Sequence, residues 1–116
     1  MRTTQEVFEN HLLLILDWDQ IDDIKKNYSP DCVLLTSFGK FYGHEGLRKF
    51  ATILNEKIPD ADILFISRMW SGEIAFLEWQ AESAENYIDD GAESFLIQNG
   101  LIVTQTVHFI VHQRNV

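Results

Sequence analysis

A chain of 116 residues makes about one ordinary domain and buries roughly two-thirds of the surface its unfolded form would expose. Apolar residues make up 46% and aromatic residues 12%, which excludes a disordered chain and supplies material for a core or an apolar cavity. Eighteen acidic residues against nine basic ones leave a formal charge of −9, the wrong sign for holding a phosphate backbone, so no nucleic acid partner is expected.

The first predicted helix runs from about Thr4 to Asp17 and places Val7, Phe8, Leu12, Ile15 and Leu16 on one stripe. Thr3 and Glu6 have the spacing of a capping box at its start. Its apolar run "LLLIL", residues 12–16, is far short of the about 20 residues that span a bilayer and lacks the flanks of a signal peptide. A cytoplasmic protein with no membrane partner is expected. A second short helix, about Asp19 to Tyr28, offers Ile21, Ile24 and Tyr28 to the core.

After the "SPD" turn, "CVLLTS" reads as a strand. Its Cys32 is the only cysteine, so neither an intrachain disulfide nor a thiolate zinc site can form; with no cation beside it in sequence it reads as an inert core thiol. "GKFYG" is a tight return, and "HEGLRKFATILNEKI" is a third helix burying Leu47, Phe50 and Leu54, closed by Pro59. The remainder is strand-like. "ADILFISRMW", the turn "SGE" and "IAFLEWQAES" come first, then a looser connection through "AENYIDD", where residues 85, 89 and 90 read as a solvated acidic loop. "AESFLIQ", the turn "NG" and "LIVTQTVHFIVH" complete the chain. Asn99-Gly100 is a strong hairpin signal, because a type I′ turn needs positive φ at both positions. Helices first and strands afterwards make the class α+β, with three N-terminal helices packed on a strongly curved, mainly antiparallel sheet.

Period-two alternation sorts the strands into faces. Leu77, Trp79 and Ala81 go inward; Glu93 shares a face with Phe95 and Ile97. In the last strand the apolar alternation Val103, Gln105, Val107, Phe109, Val111 disagrees by one residue with the register set by a two-residue turn pairing Ile97 with Ile102. A β-bulge near Val103 or Thr104 reconciles them and turns Gln105, Val107 and Phe109 inward. Without it, Thr104, Thr106 and His108 would point in.

The ordered phrases "DWDQIDDIKKNYSPDCVLLTSFG" (17–39), "YGHEGLRKF" (42–50), "FLEWQAES" (76–83) and "DGAESFLIQNGLIVTQTVHF" (90–109) together resemble the nuclear transport factor 2-like superfamily, especially its SnoaL-like (polyketide cyclase-like) branch, over nearly the whole chain. The resemblance implies a single SnoaL-like domain, 1–116, folded as a cone-shaped α+β barrel around an apolar cavity. It also implies a homodimer joined through the outer sheet face, with Thr104, Thr106, His108 and Ile110 on that face. Against the ketosteroid isomerase pattern of this superfamily, the oxyanion-hole tyrosine falls near Leu12 and the general-base aspartate near Thr36, so both groups are missing. The second acid falls at Glu93, and Tyr28 matches a tyrosine that buttresses the missing one. No match is found to the paired histidines of the dehydratases or to the Asp-Arg-Asp set of the epoxide hydrolases.

Two readings of function follow. In the first, the protein binds a small hydrophobic or aromatic molecule against Trp79, Phe95, Val107 and Phe109, with Tyr28, Thr36 and Gln105 as polar cavity groups. Glu93 then serves as the catalytic residue of a cofactor-free isomerisation, cyclisation or dehydration, since a carboxyl desolvated by Trp79 and Phe95 holds its proton nearer neutral pH. In the second, the same cavity belongs to a non-catalytic ligand-binding or dimerisation module, and Glu93 is a pocket or rim carboxylate. No cofactor and no metal is expected: His108 and His112, four apart on a strand, are separated by about 13 Å, too far for one ion, and His44-Glu45 lacks the second histidine of a helical zinc motif.

Overall fold

The computed structural model describes residues 1–114. Helix α1 spans Thr4–Leu16 and starts on the expected capping box: the Thr3 hydroxyl accepts from the Glu6 N–H at 3.1 Å and Glu6 Oε1 accepts from the Thr3 N–H at 2.9 Å. Two of the orphan amides at the helix start are satisfied in this way. Helix α2, Gln20–Asn27, is capped by Asp19, whose carboxylate accepts from the Asp22 N–H. Its phase differs from the expected one. Ile21 is 82% exposed, and Asp23, Ile24 and Asn27 face inward; these positions, spaced i, i+1 and i+4, form one helical face that Ile21 does not share. Leu16 is also exposed.

Strands β1 (Tyr28–Thr36) and β2 (Gly39–Tyr42) form a hairpin, so the "GKFY" of the expected return is itself a strand, and helix α3 (Gly43–Lys57) packs on both. Then follow β3 (Asp62–Ser71), β4 (Ile74–Glu82), β5 (Asn86–Gln98), β6 (Leu101–His108) and the short β7 (His112–Gln113). The strand order is β2-β1-β6-β5-β4-β3, with β7 paired to the start of β5. All neighbours are antiparallel except β1 and β6. The sheet stays open, with β2 and β3 as its edges, where a barrel was expected.

Two further expectations are corrected. The stretch taken as a loose connection belongs to β5, so Asp89 and Asp90 are exposed residues of a strand. The last strand ends at His108, and the chain re-forms pairing four residues later as β7. The Asn99-Gly100 turn has φ of +52° and +76°, as a type I′ turn requires. On either side of it Ile97 pairs with Ile102 but Leu96 with Thr104, so Val103 is the extra residue of a bulge. That bulge turns Gln105, Val107 and Phe109 into the interior, where all three are buried.

Candidate functional site

Between the three helices and the inner face of the sheet lies a cavity of about 530 Å³, within the range of small-molecule sites. Its walls are chiefly aliphatic and aromatic. Five buried or largely buried polar groups meet at one end, His11 from α1, Asp23 from α2, Tyr28 from β1, Glu93 from β5 and Gln105 from β6, while Gln20, Thr52, Asn55 and Glu56 line the cavity elsewhere.

Register explains half of this cluster. Glu93 pairs with Leu77 on one side and Val107 on the other, while Phe95 pairs with Gln105. Gln105 is therefore the diagonal neighbour of Glu93 on the same face, within reach of its side chain. The Gln105 amide donates to Glu93 Oε1 at 2.5 Å, and the Tyr28 hydroxyl donates to Gln105 Oε1 at 2.5 Å. The amide orientation follows: its oxygen serves Tyr28 and its NH₂ serves Glu93. Burial, helped by the Asp23 and Glu93 charges, holds the Tyr28 hydroxyl well above its ordinary range, so it stays a neutral donor.

The other half comes from the helices. His11 follows Val7 and Phe8 on the buried stripe of α1 and is 2% exposed. Its Nδ1 donates to Asp23 Oδ1 and Oδ2 at 2.9 and 2.8 Å. Asn27 Nδ2 donates to Asp23 Oδ1 and to Asn10 Oδ1, both at 2.9 Å. Arg2 Nη1 holds Asn27 Oδ1 at 2.6 Å while its Nη2 reaches the carbonyls of Lys26 and Gly100. With Nδ1–H committed to Asp23, Nε2 is the free basic nitrogen of the neutral ring. That atom is covered and has no hydrogen-bond partner.

The two halves interact electrically. Burial alone would lower the His11 pKa, but the charge and hydrogen bond of Asp23, with the charge of Glu93, outweigh it and the net effect is upward. Burial pushes the Glu93 carboxyl up; His11 and the Gln105 hydrogen bond oppose that in part, and Asp23 adds to it. The Trp79 indole N–H lies near enough to Glu93 to favour its charged form yet makes no hydrogen bond of normal geometry.

Trp79 and Val107 form cavity wall with Tyr28, Gln105 and Glu93. Phe95 and Phe109 sit behind that wall. Phe95 packs on Phe8 and His11 with ring centroids 5.4 and 5.1 Å apart, and Phe109 packs on Trp79 at 5.8 Å. Thr36 stands apart from the cavity: its hydroxyl accepts from the Phe38 N–H and donates to the Gly39 carbonyl in the β1–β2 turn. His44 holds the carbonyl of Tyr28 at 2.9 Å, and His108 and His112 are on the outside near Asp90 and Asp89. Among the described residues no group of three or more His, Cys, Asp or Glu side chains is placed to hold a metal ion, and no helix is long and apolar enough to cross a membrane.

Trp79 owes its position to Gly91, its cross-strand partner. A Cβ at Gly91 would lie 2.4 Å from two atoms of the indole ring, so only glycine lets the ring lie over the β5 backbone. Trp18, 64% exposed and with φ of +57°, stands where the cavity meets solvent.

Sequence reasoning missed His11 and Asp23. The available signal was a histidine at positions 7, 8, 11, 12 of an otherwise apolar helical stripe, and an aspartate beside Ile24 and one turn before Asn27.

No protein-family model and no curated protein sequence matches the chain. Solved structures do. A nuclear transport factor 2-like protein of unknown function from Burkholderia pseudomallei superposes with a TM-score of 0.78 at 16% identity, over 95% of this chain and 92% of that one. A candidate SnoaL-like polyketide cyclase from Mesorhizobium loti gives 0.71 at 14% identity, over 91% and 98%. TerC, co-crystallised with polyporic acid, gives 0.75 at 13% identity, over 92% and 91%. These likenesses carry the fold: three helices on a curved, open, mostly antiparallel sheet are the nuclear transport factor 2-like arrangement, as the sequence resemblance implied.

Proposed function

We propose, with the nuclear transport factor 2-like fold as premise, that the protein binds a small, flat, largely apolar molecule and moves a proton on it without a cofactor, as an isomerase, cyclase or dehydratase does. The observation that carries this reading is the pairing of His11, held in one tautomer by Asp23, with Glu93 at the polar end of an apolar cavity. The base that the sequence lacked is thereby supplied by a helix. His11 Nε2 takes a proton from the substrate. Glu93 Oε1 is occupied by Gln105, so the proton of the neutral acid sits on Oε2, which donates to a developing oxyanion or departing hydroxyl. In isomerisation or cyclisation the protonated imidazole returns its proton to another atom of the substrate; in dehydration the hydroxyl leaves as water with the Glu93 proton, and the proton held by the imidazole restores the acid. TerC, of the same fold, was co-crystallised with polyporic acid, which supports a small organic ligand for a protein of this fold.

Deuterium exchange at the activated methylene groups of 2-tetralone, followed by proton NMR in D₂O, tests the chemistry. The protein is expected to accelerate exchange, and His11→Gln and Glu93→Gln each to lower the acceleration by about 100-fold. Exchange unchanged in both variants sinks the catalytic reading.

One observation favours a second reading, a non-catalytic carrier or sensor: His11 Nε2 is covered. Under it, 2-tetralone binds and raises the melting temperature with no exchange above buffer. The proposal also includes a cytoplasmic homodimer formed through the outer sheet face, where Thr106, His108 and Ile110 are exposed; sedimentation as a monomer at micromolar concentration contradicts the dimer.

A further inference from the structure

The charged groups of this chain are distributed unevenly about the cavity. Among the described residues three carboxylates, Asp23, Glu56 and Glu93, line it, with His11 as the single basic side chain; no lysine or arginine of these does. Lys25, Arg48 and Lys49, each next in sequence to a lining residue, are exposed and do not line it, and two other basic residues are engaged elsewhere. Arg2 is held by Asn27 and two backbone carbonyls, and Lys57 lies over the ring of Phe38.

This matters because a charge moved from water into an apolar enclosure needs a fixed counter-charge. An anionic group at the polar end would meet one imidazolium at most, and Asp23 already neutralises it at 2.8 Å. It would also lie beside Glu93. A cationic group meets Trp79, an aromatic partner for cations, and Glu93, whose carboxyl ionises more readily with a positive charge beside it, and an uncharged carbonyl, hydroxyl or amine needs only a hydrogen bond. Two buried polar atoms at this end, His11 Nε2 and Trp79 Nε1, have no partner in the protein, so hydrogen-bonding capacity is in place where positive charge is not. The net charge of −9 adds long-range repulsion of anions.

We propose that the cavity selects its ligand by charge: an uncharged or singly cationic apolar molecule is admitted, and the same skeleton bearing a carboxylate, sulfate or phosphate is excluded. This rests on the reading that the cavity takes a small apolar ligand and adds the ionisation class of that ligand.

The test is calorimetric titration of the full chain near neutral pH with three compounds of one shape: 2-naphthalenemethanol, 2-naphthylmethylamine and 2-naphthoate. The alcohol and the amine are expected to bind, and the carboxylate at least about tenfold more weakly. Glu93→Gln narrows the interval between amine and carboxylate by about tenfold. Should that variant melt near the assay temperature, Glu56→Gln at the solvent end narrows it in the same direction by a smaller factor. Equal binding of alcohol and carboxylate overturns charge selection and leaves the apolar-ligand reading standing. Binding of none of the three overturns both.

Discussion

His11 Nδ1 lies 2.8 Å from Asp23 Oδ2, joining two helices through a buried imidazole and carboxylate. Asp23 does two things for the ring: it fixes the tautomer and it raises the affinity of the ring for a proton. Asp23→Asn keeps the shape and removes the charge. Burial, which alone lowers the His11 pKa, then prevails, and histidine NMR titration should show His11 below the ordinary value of 6.5. A His11 pKa unchanged in the variant would mean that the pair is not intact in solution.

Stability should fall as pH rises from acid to neutral. Glu93 and His11 both bind protons more tightly folded than unfolded. Above 4.5, the ordinary value of Glu93, the unfolded chain therefore loses protons that the folded protein keeps, and stability declines until the folded Glu93 also ionises. The contribution of His11 is complete below 6.5 and is lost as pH passes through its raised folded value. Glu6, an exposed helix-cap carboxylate shifted the other way, contributes fully above 4.5 and loses its contribution only as pH falls below that value, so it leaves this range unaffected. Urea denaturation midpoints across this range should decrease in the natural protein and flatten in Glu93→Gln. Midpoints that climb with pH would contradict the assignment.

Gly91→Ala should be costly although the residue has no side chain of its own. The added methyl group collides with the Trp79 ring and with the Trp79 carbonyl oxygen at 2.8 Å, so the indole must shift or the two strands must part. A loss of about 1–3 kcal/mol is expected from such overpacking. The displaced ring also deforms the cavity wall, and binding of 2-naphthalenemethanol should weaken with it. A variant of natural stability and affinity would show that Trp79 packs elsewhere.

Arg2 does not line the cavity yet ends the chain of contacts that reaches the imidazole through Asn27 and Asp23. Arg2→Ala removes charge-assisted hydrogen bonds and should cost about 1–3 kcal/mol of stability. If the chain of contacts positions His11, turnover falls at saturating substrate with little change in KM; a purely structural role lowers the melting temperature and leaves kcat at the assay temperature unchanged.

Much of the sheet could be read from alternation and turn chemistry. Glu93 faces inward because Phe95 and Ile97 do, and the conflict between the Asn99-Gly100 register and the apolar pattern points to a bulge near Val103 or Thr104, which the pairing puts at Val103. The helical half of the site was not legible in the same way. A stripe defined by apolar residues passes over His11 on α1, and on α2 it prefers Ile21 to Asp23, although Ile21 is exposed and Asp23 buried. What makes an inward Asp23 tolerable is His11 on another helix, with Asn27 beside it, and no local pattern announces a pairing across elements. The acidic residues 85, 89 and 90 read as a solvated loop for a similar reason: Asp89 and Asp90 do face water, but from a strand, because their neighbours Ile88 and Gly91 are the buried residues.

The most direct test of a site built from His11 and Glu93 is ¹⁵N-resolved NMR of the imidazole groups during titration with 2-tetralone. The Nε2 resonance of His11 should move as the cavity fills, while His44, His108 and His112 stay unchanged. Saturation of the cavity, reported by tryptophan fluorescence, with His11 Nε2 unmoved would contradict its role at the reacting end.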